Sequence, residues 1–358
     1  MIESLEFKPN LREAVLRMEK FWNMEELIDR IPIIIELPKS DARKADGSFF
    51  GKLDLYKEYI EEYFIRHSAV NDEFFPQVVP QYGHAIISAL CGAEITAASH
   101  TVWSGPFIKD PAEAKELVLN WNNEWGRRFM EDYEKLIEKA RGKYVAGIYE
   151  TEGVSDTISA IRGSENMFYD FYEKPDEAWY MAKRVADILI EFTRWNNEHI
   201  AKRNNVLGGT VSLYSIWMPQ GSCVTTEDAS VMYSGEYYRK NIKEHTQRLA
   251  SSFTKTLMEV HDEGTHQIRE FGDTSGISIM AIGNPLKMKR EHREDLKKLL
   301  GRVNFYIYIQ PDEIEDVMQF TGIKGIMLNI PATSVKMAEN ILERVLKMTE
   351  KMRKLTVS

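Results

Sequence analysis

The sequence predicts an α/β fold, a single (β/α)8 TIM barrel over residues 1–358 with an N-terminal helical extension over residues 1–30. Short β-rich runs alternate with longer amphipathic segments, which is the order of parallel α/β architecture. Several of the runs are almost continuously apolar, as strands covered on both faces are. No G-x-G-x-x-G motif follows the first run, which favours a barrel over an open nucleotide-binding sheet.

Each predicted strand is followed by a segment long enough for a helix. The eight predicted strands are Ile31–Leu37, Gln77–Pro80, Tyr144–Glu150, Thr210–Trp217, Thr256–His261, Ile277–Ile282, Val303–Ile309 and Lys324–Asn329. Among the helices, Asp110 and Pro111 form a start signal, because Asp accepts free amide hydrogens and Pro needs no donor. The segments Pro175–His199 and Ser334–Met348 repeat apolar residues at helical spacing.

Composition excludes several function classes. The net charge is -9 and no basic stripe is present, so nucleic acid is not an expected partner. Apolar stretches are too short for a membrane span, and the charged N-terminus has no signal-peptide core. Cys91 and Cys223 are too far apart in sequence for a CxxC metal clip and favour a reducing compartment. We therefore expect a cytoplasmic protein that acts on a small molecule.

The segment MEVHDEG, residues 258–264, is the strongest candidate for a site. Catalytic groups of a barrel enzyme lie at the carboxyl ends of the strands, and His261 ends a predicted strand. His261 with Asp262 could act in acid–base catalysis, or His261 with Glu263 could bind a metal. The alternative is structural: the two carboxylates would then be the N-terminal charges of the next helix.

Other polar and aromatic residues fall near predicted strand ends. Glu150 and Glu152 resemble an acid–base pair of carboxylates, or else are solvated loop charges. Asp72 is a candidate catalytic carboxylate or a turn residue, and Tyr149 could line an apolar pocket. Candidate substrate contacts are Glu36, Arg43, His84, Trp103, Glu152, Trp217, Asp228, Tyr233 and Asn329. Aromatic residues in such positions are more often core residues, so each is a weak candidate alone.

Five segments in order resemble the uroporphyrinogen decarboxylase-like superfamily over about residues 20–345. They are EKFWNMEELIDRIPIIIELP, NDEFFPQVVPQYGHAIISALCGAE, TVWSGPFIKDPAEAKEL, GIYETEGVSDTISAIRGSENMFYDFYEKPDEAW and VTTEDASVMYSGEYYRKNIKEH. The resemblance implies a (β/α)8 barrel. It also implies either a decarboxylase of tetrapyrroles or a methyltransferase that moves methyl groups among corrinoid proteins, thiols and folates.

The resemblance to true decarboxylases is incomplete. Their arginine-rich RQAGR loop is replaced by LPKSDARKADG, which contains Arg43 and Lys44. Asp72 is similar to the family's catalytic aspartate, and Tyr149 loosely to its tyrosine. The histidine of the NLGHG-type motif is replaced by Asn329-Ile330-Pro331. These departures argue against the tetrapyrrole reaction.

The resemblance to the methyltransferase branch is also partial. That branch binds zinc through a His-x-Cys pair and a later Cys, whereas this chain has His261-Asp262-Glu263 and no Cys near Asn329. Zinc bound by His261 and Glu263 would be a harder site, less suited to activating a thiolate. We expect a divergent methyltransferase that works with a corrinoid protein or another methyl carrier. The alternatives are a carboxy-lyase and a non-catalytic binding protein, and the family habit makes a homodimer reasonable.

Overall fold

The computed structural model of the protein describes residues 1–39, 49–83, 85–97 and 102–357. The predicted contacts Arg43 and His84 lie outside these residues. The described strands are β1 Ile33–Glu36, β2 Gln77–Val78, β3 Ile95–Ala97, β4 Val102–Ser104, β5 Val145–Ala146, β6 Gly209–Val211, β7 Trp217–Pro219, β8 Cys223–Thr225, β9 Thr256–Val260, β10 Ile277–Ile282, β11 Asn304–Tyr308 and β12 Ile326–Pro331.

Helices cover the strands. They are α1 Leu11–Trp22, α2 Leu53–His67, α3 Ala85–Leu90, α4 Glu124–Ala140, α5 Val154–Arg162, α6 Ser164–Glu173, α7 Pro175–Trp195, α8 Gly235–Asn241, α9 Lys243–Ala250, α10 Ile268–Gly272, α11 Arg290–Leu299, α12 Ile314–Thr321 and α13 Val335–Val357. The Asp110 side chain accepts from the Ala112 amide at the start of a 3-10 helix, as predicted. In the part of the chain that the structure describes, no helix is both long and apolar enough to span a membrane.

The central sheet is parallel. Six strands pair in the order β1-β12-β11-β10-β9-β8, and β2 pairs with β5 in a separate parallel ladder. A single parallel bridge between Thr151 and Thr225 connects the segment after β5 to β8. This is a barrel-like α/β arrangement, although no ladder within the described residues closes the ring between β1 and β2.

Seven of the eight predicted strands coincide with observed ones, and the prediction of a strand over Thr210–Trp217 is wrong. The chain turns back inside this run, since Ser215 has a φ of 58° and the Ser212 amide donates to the Ile216 carbonyl. The result is an antiparallel hairpin of β6 and β7. The parallel strand of this region is β8, which lies outside the predicted run.

The N-terminal extension is only partly helical. Helix α1 buries residues at helical spacing, namely Leu11, Ala14, Val15, Met18, Phe21 and Trp22. The Trp22 indole donates to the Trp217 carbonyl at 2.8 Å, so α1 packs on the β6–β7 hairpin. Residues 2 to 8 instead form isolated bridges, one of them between Ile2 and Val206.

Buried carboxylates span the opening between β1 and β2. The Ile35 amide donates to the Asp72 side chain at 2.8 Å, and the Ile33 amide donates to the Glu73 side chain at 2.8 Å. These side chains therefore satisfy backbone donors that a neighbouring strand would otherwise satisfy. Arg30 contacts Glu73 with both terminal nitrogens, at 2.6 and 3.0 Å.

Cations balance both carboxylates. Lys8 and His67 lie 3.5 and 3.4 Å from Asp72, and Arg17 lies 3.1 Å from Glu73. Burial alone would raise the pKa of Asp72, but His67 and Lys8 bring it down to about 2. We call Lys8, Arg30, His67, Asp72 and Glu73 the β1–β2 junction.

Candidate active site

Polar side chains gather at the carboxyl ends of the central strands. Glu36 ends β1, Glu259 and His261 lie at the end of β9, Tyr308 ends β11, and Asn329 lies in β12. Because the strands are parallel, these ends meet at one edge of the sheet, where enzymes of barrel-like α/β folds carry their catalytic groups. We call this edge the mouth.

A hydrogen-bonded relay lies in the mouth. The Tyr214 hydroxyl is 3.0 Å from Glu150 Oε1 and also within hydrogen-bond distance of Glu259 Oε2. A phenol has one proton, so it can donate to only one of two carboxylates and the other must be protonated. Burial, followed by the charge of Glu259, raises the pKa of Glu150 well above its ordinary value. Glu150 is therefore the member of the pair that favours the neutral form, and the Tyr214 hydroxyl lies between it and Glu259.

His261 extends this relay toward solvent. Its Nε2 lies 3.8 Å from Glu259 Oε2 and 3.5 Å from Asp228 Oδ1, and its side chain is half exposed. Asp262 and Glu263 follow in the first turn of a 3-10 helix, and both are exposed. His261 therefore lies within ion-pair distance of the relay, where its half-exposed ring is in contact with water.

A second pair of carboxylates, the buried Glu227 and the partly buried Asp156, lies beside the relay at the N-terminus of α5. Glu227 accepts from the Val154 and Ser155 amides at 3.1 and 3.0 Å and from the Thr246 hydroxyl at 2.6 Å. Asp156 in turn accepts from the Asp228 amide at 3.0 Å. A Cβ on Gly153 would lie 2.2 Å from the Thr226 carbonyl oxygen, so only glycine permits this close approach.

Both members of this pair have raised pKa values. Burial, and then the charge of Asp156, raise the pKa of Glu227 to about 7. Burial, and then the charge of Asp228, raise the pKa of Asp156 to about 6. Neither carboxylate has an ion-pair partner among the described residues, so both resemble the acids of an enzyme site more than structural ion pairs.

Two cavities open near the mouth. The first has a volume of about 240 Å³ and is lined mainly by aromatic residues of α2, β11 and the loop before β7. We call it the aromatic chamber; its rings belong to Tyr56, Tyr63, Phe64, Phe74, Tyr214, Tyr306 and Tyr308. The second, of about 440 Å³, lies between Trp103 and Met232 and is bordered by Glu152, Asp156 and Asp228.

The structure brings together most of the predicted site residues. Glu36 accepts from Asn329 at 2.9 Å, and Asn329 also contacts Tyr306. Predicted residues that lie in the relay or along the two cavities are Glu36, Trp103, Glu150, Glu152, Asp228, His261 and Asn329. Tyr233 is buried beside the mouth, with its hydroxyl 2.9 Å from Ser155 Oγ.

Three predicted residues lie in structural positions instead. Asp72 belongs to the β1–β2 junction and is fully buried. The Tyr149 hydroxyl donates to the Gly83 carbonyl at 3.0 Å, and its ring packs on Phe129. The Trp217 indole donates to the Val206 carbonyl at 2.8 Å beneath the hairpin. The proposed site does not include these three residues.

Several residues of the mouth were not predicted. Glu259 is the single polar residue of the strand TLMEV, and this interruption of an apolar strand was a usable signal. Tyr308 occupies the corresponding position near the end of β11. Tyr214, Asp156 and Glu227 gave no such signal, because their partners are distant in sequence.

The predicted zinc ligands His261 and Glu263 would need further metal-binding side chains close to them. Within residues 1–39, 49–83, 85–97 and 102–357, no three His, Cys, Asp or Glu side chains are arranged to hold a metal ion. Burial raises the pKa values of Cys91 and Cys223 to about 12, so neither thiol is a ready thiolate ligand. The described residues therefore do not fit zinc bound by His261 and Glu263.

Comparison with known proteins gives a likeness in structure. The sequence matches no protein-family model and no curated protein. The structure is similar to a methyltransferase from Methanosarcina mazei, with a TM-score of 0.60 and 13% sequence identity. The alignment covers 96% of this chain and 99% of that chain. The two chains share a fold.

Proposed function

We propose that the protein is a methyltransferase of the uroporphyrinogen decarboxylase-like superfamily that passes a methyl group from a small substrate to a corrinoid carrier protein. The observation that carries the proposal is the relay of Glu150, Tyr214 and Glu259 at the mouth. It is supported by the fold shared with a methyltransferase across nearly the whole chain. In this proposal β1, β2, β5 and β8 to β12 are the eight strands of one barrel.

The relay supplies a proton in this reaction. The bond between the methyl carbon and the substrate heteroatom breaks, and its electron pair stays on the heteroatom. The reduced carrier supplies the nucleophile that receives the methyl group. Glu150 then gives its proton through Tyr214 to the heteroatom, which prevents the reverse transfer, and His261 with Asp228 returns a proton from water.

The charge of the mouth disfavours the alternative, decarboxylation of a polycarboxylate. Glu36, Glu259 and Asp228 lie close to the two cavities, and Lys39 is the one cation among the described residues that line them. Several substrate carboxylates would require several arginines for binding. A neutral or cationic substrate fits these walls better.

Methyl transfer can be followed directly with free cob(I)alamin in place of the carrier protein. The protein is mixed with cob(I)alamin and, in turn, methanol, a methyl phenyl ether, trimethylamine and choline, and methylation of the cobalt is read from the absorbance spectrum. We expect one class of donor to react. Tyr214→Phe should slow that reaction by about 10²-fold or more, since it breaks the relay.

A matched control separates this role from a general effect of losing a hydroxyl. Tyr172→Phe makes the same change on α6, where the tyrosine is 86% exposed, and should leave the rate unchanged. The proposal is wrong if no donor methylates the cobalt, or if Tyr214→Phe reacts as fast as the unaltered protein.

A further inference from the structure

The aromatic chamber has the size and lining of a binding site for a small organic ligand. Its volume of about 240 Å³ lies below the ~300–1,000 Å³ of pockets that hold drug-sized molecules. Seven aromatic rings line it, and Tyr306 and Tyr308 stand with ring centroids 4.8 Å apart at 60°. The faces of these rings carry negative potential, and the tyrosine hydroxyls make the lining partly polar.

Carboxylates surround the aromatic rings. Glu36 lines the chamber, and the Tyr214 hydroxyl on its wall contacts Glu150 and Glu259. Burial and the charges of Glu259 and Glu36 raise the pKa of Tyr308, which reflects the same negative field. Lys39 is the one cation among the described lining residues and is exposed, as Glu36 is, so with Glu259 nearby the carboxylates outnumber the cations around the described part of the chamber.

We propose that the aromatic chamber binds a small methylated ammonium cation. Rings of Tyr214, Tyr306 and Tyr308 and the Glu36 carboxylate hold the cation. The inference rests on the proposed function, because it names the class of substrate from which the methyl group is taken. A quaternary ammonium leaves as a neutral amine, which then takes the proton of the relay.

Calorimetric titration tests the binding without any corrinoid. The probes are choline and 3,3-dimethylbutan-1-ol, which has the same shape and hydroxyl group but no charge. We expect choline to bind at least about tenfold more tightly than the alcohol, because only a cation interacts with the rings in this way. Tyr308→Leu should weaken choline binding about tenfold, and Glu36→Gln about two- to fivefold, the range of a solvent-exposed ion pair.

Two further measurements keep the outcomes separate. Tyr172→Leu, which removes an 86% exposed ring outside the chamber, should leave choline binding unchanged. Glu36 is exposed, so Glu36→Gln tests the charge even if Tyr308→Leu fails to fold. Equal binding of choline and the alcohol, or binding of neither, overturns the inference, whereas choline binding without cobalt methylation overturns only the proposed function. Methylation from a methyl ether without choline binding overturns only the inference.

Discussion

Two groups of carboxylates in the protein differ in the charged and polar groups that surround them. In the β1–β2 junction, Asp72 and Glu73 face Lys8, Arg30 and His67, and backbone amides occupy their remaining acceptor positions. In the mouth, the buried Glu150 and Glu227 and the partly buried Asp156 face hydroxyl groups, amides and other carboxylates. The pKa is lowered for Asp72 and raised for the three acids of the mouth.

This difference distinguishes carboxylates that stabilise the fold from carboxylates that can donate a proton in a reaction. A buried carboxylate with a cation stays charged and fixes the position of the chain around it. A buried carboxylate without one favours the protonated form and can give up a proton when a substrate changes its surroundings. Burial alone is therefore a poor guide to function, because Asp72 and Glu150 are both buried and only the second has an acid's surroundings.

The largest expected effect comes from breaking the junction. Glu73→Gln leaves Arg30, which is 5% exposed, without its carboxylate and removes an acceptor from the Ile33 amide. Removing one partner of a buried ion pair costs about 3–5 kcal/mol of unfolding free energy. Urea unfolding followed by circular dichroism measures this loss. Glu263→Gln makes the same change from carboxylate to carboxamide at an exposed position and serves as the control. It should leave the free energy of unfolding nearly unchanged.

A Glu73→Gln protein as stable as the unaltered one would remove the junction from the comparison. The cations near Glu73 would then be solvated well enough that their pairing does not matter. The same measurement on Asp72→Asn would show whether Lys8 and His67 behave in the same way.

We expect Glu150→Gln to raise the free energy of unfolding at neutral pH, in contrast to Glu73→Gln. Because the folded protein raises the pKa of Glu150, ionisation opposes folding as the pH rises above the ordinary glutamate value of about 4.3. Glutamine is neutral and can still donate to Tyr214. The two proteins should be nearly equal only below about pH 4, and from pH 5 to pH 8 the variant should become increasingly the more stable, by at least on the order of 1 kcal/mol.

The free energies of unfolding of the two proteins, measured from pH 5 to 8, give this difference in stability. Glu198→Gln is a suitable control, since its exposed carboxylate pairs with Lys202 at the surface at 3.6 Å. A Glu150→Gln protein that loses stability at pH 8 would mean that Glu150 is ionised in the fold, and the direction of the relay would be wrong.

The sequence predicted the parallel α/β arrangement because apolar runs and helical spacing are local patterns. It failed at Thr210–Trp217, where a positive φ at Ser215 turns an apolar run into a hairpin. An apolar run has the same composition in a hairpin as in a buried strand, so only contacts distant in sequence decide between them. The same hairpin places Tyr214, which explains why the relay was not predicted.

The candidate site was predicted where a strand end is a local signal. His261 follows directly from the end of β9, and Glu150 from the segment after β5. Asp72 was singled out by its sequence surroundings, and nothing local shows that Lys8 and His67 pair with it. Whether a carboxylate meets a cation or another carboxylate depends on residues tens of positions away.

The smallest expected effect concerns communication among the acids of the mouth. Asp228 is half exposed, and its charge is the second cause, after burial, of the raised pKa of Asp156. Asp228→Asn keeps the acceptor for the Thr226 hydroxyl at 2.6 Å but removes the charge. The pKa of Asp156 should therefore fall from about 6. The fall should be less than about one unit, because interactions with exposed charges are worth about 1 kcal/mol or less.

Carbon-13 NMR titration of the aspartate carboxyl groups reads this pKa directly. Asp262→Asn is the control, because it removes an exposed charge whose carboxylate packs against Gly283 instead. An unchanged pKa would leave burial as the whole cause, and each acid of the mouth would then titrate independently. If the pKa of Asp156 falls in Asp228→Asn but not in Asp262→Asn, the acids of the mouth interact through their charges. Acids that interact in this way titrate as a coupled group and not one by one.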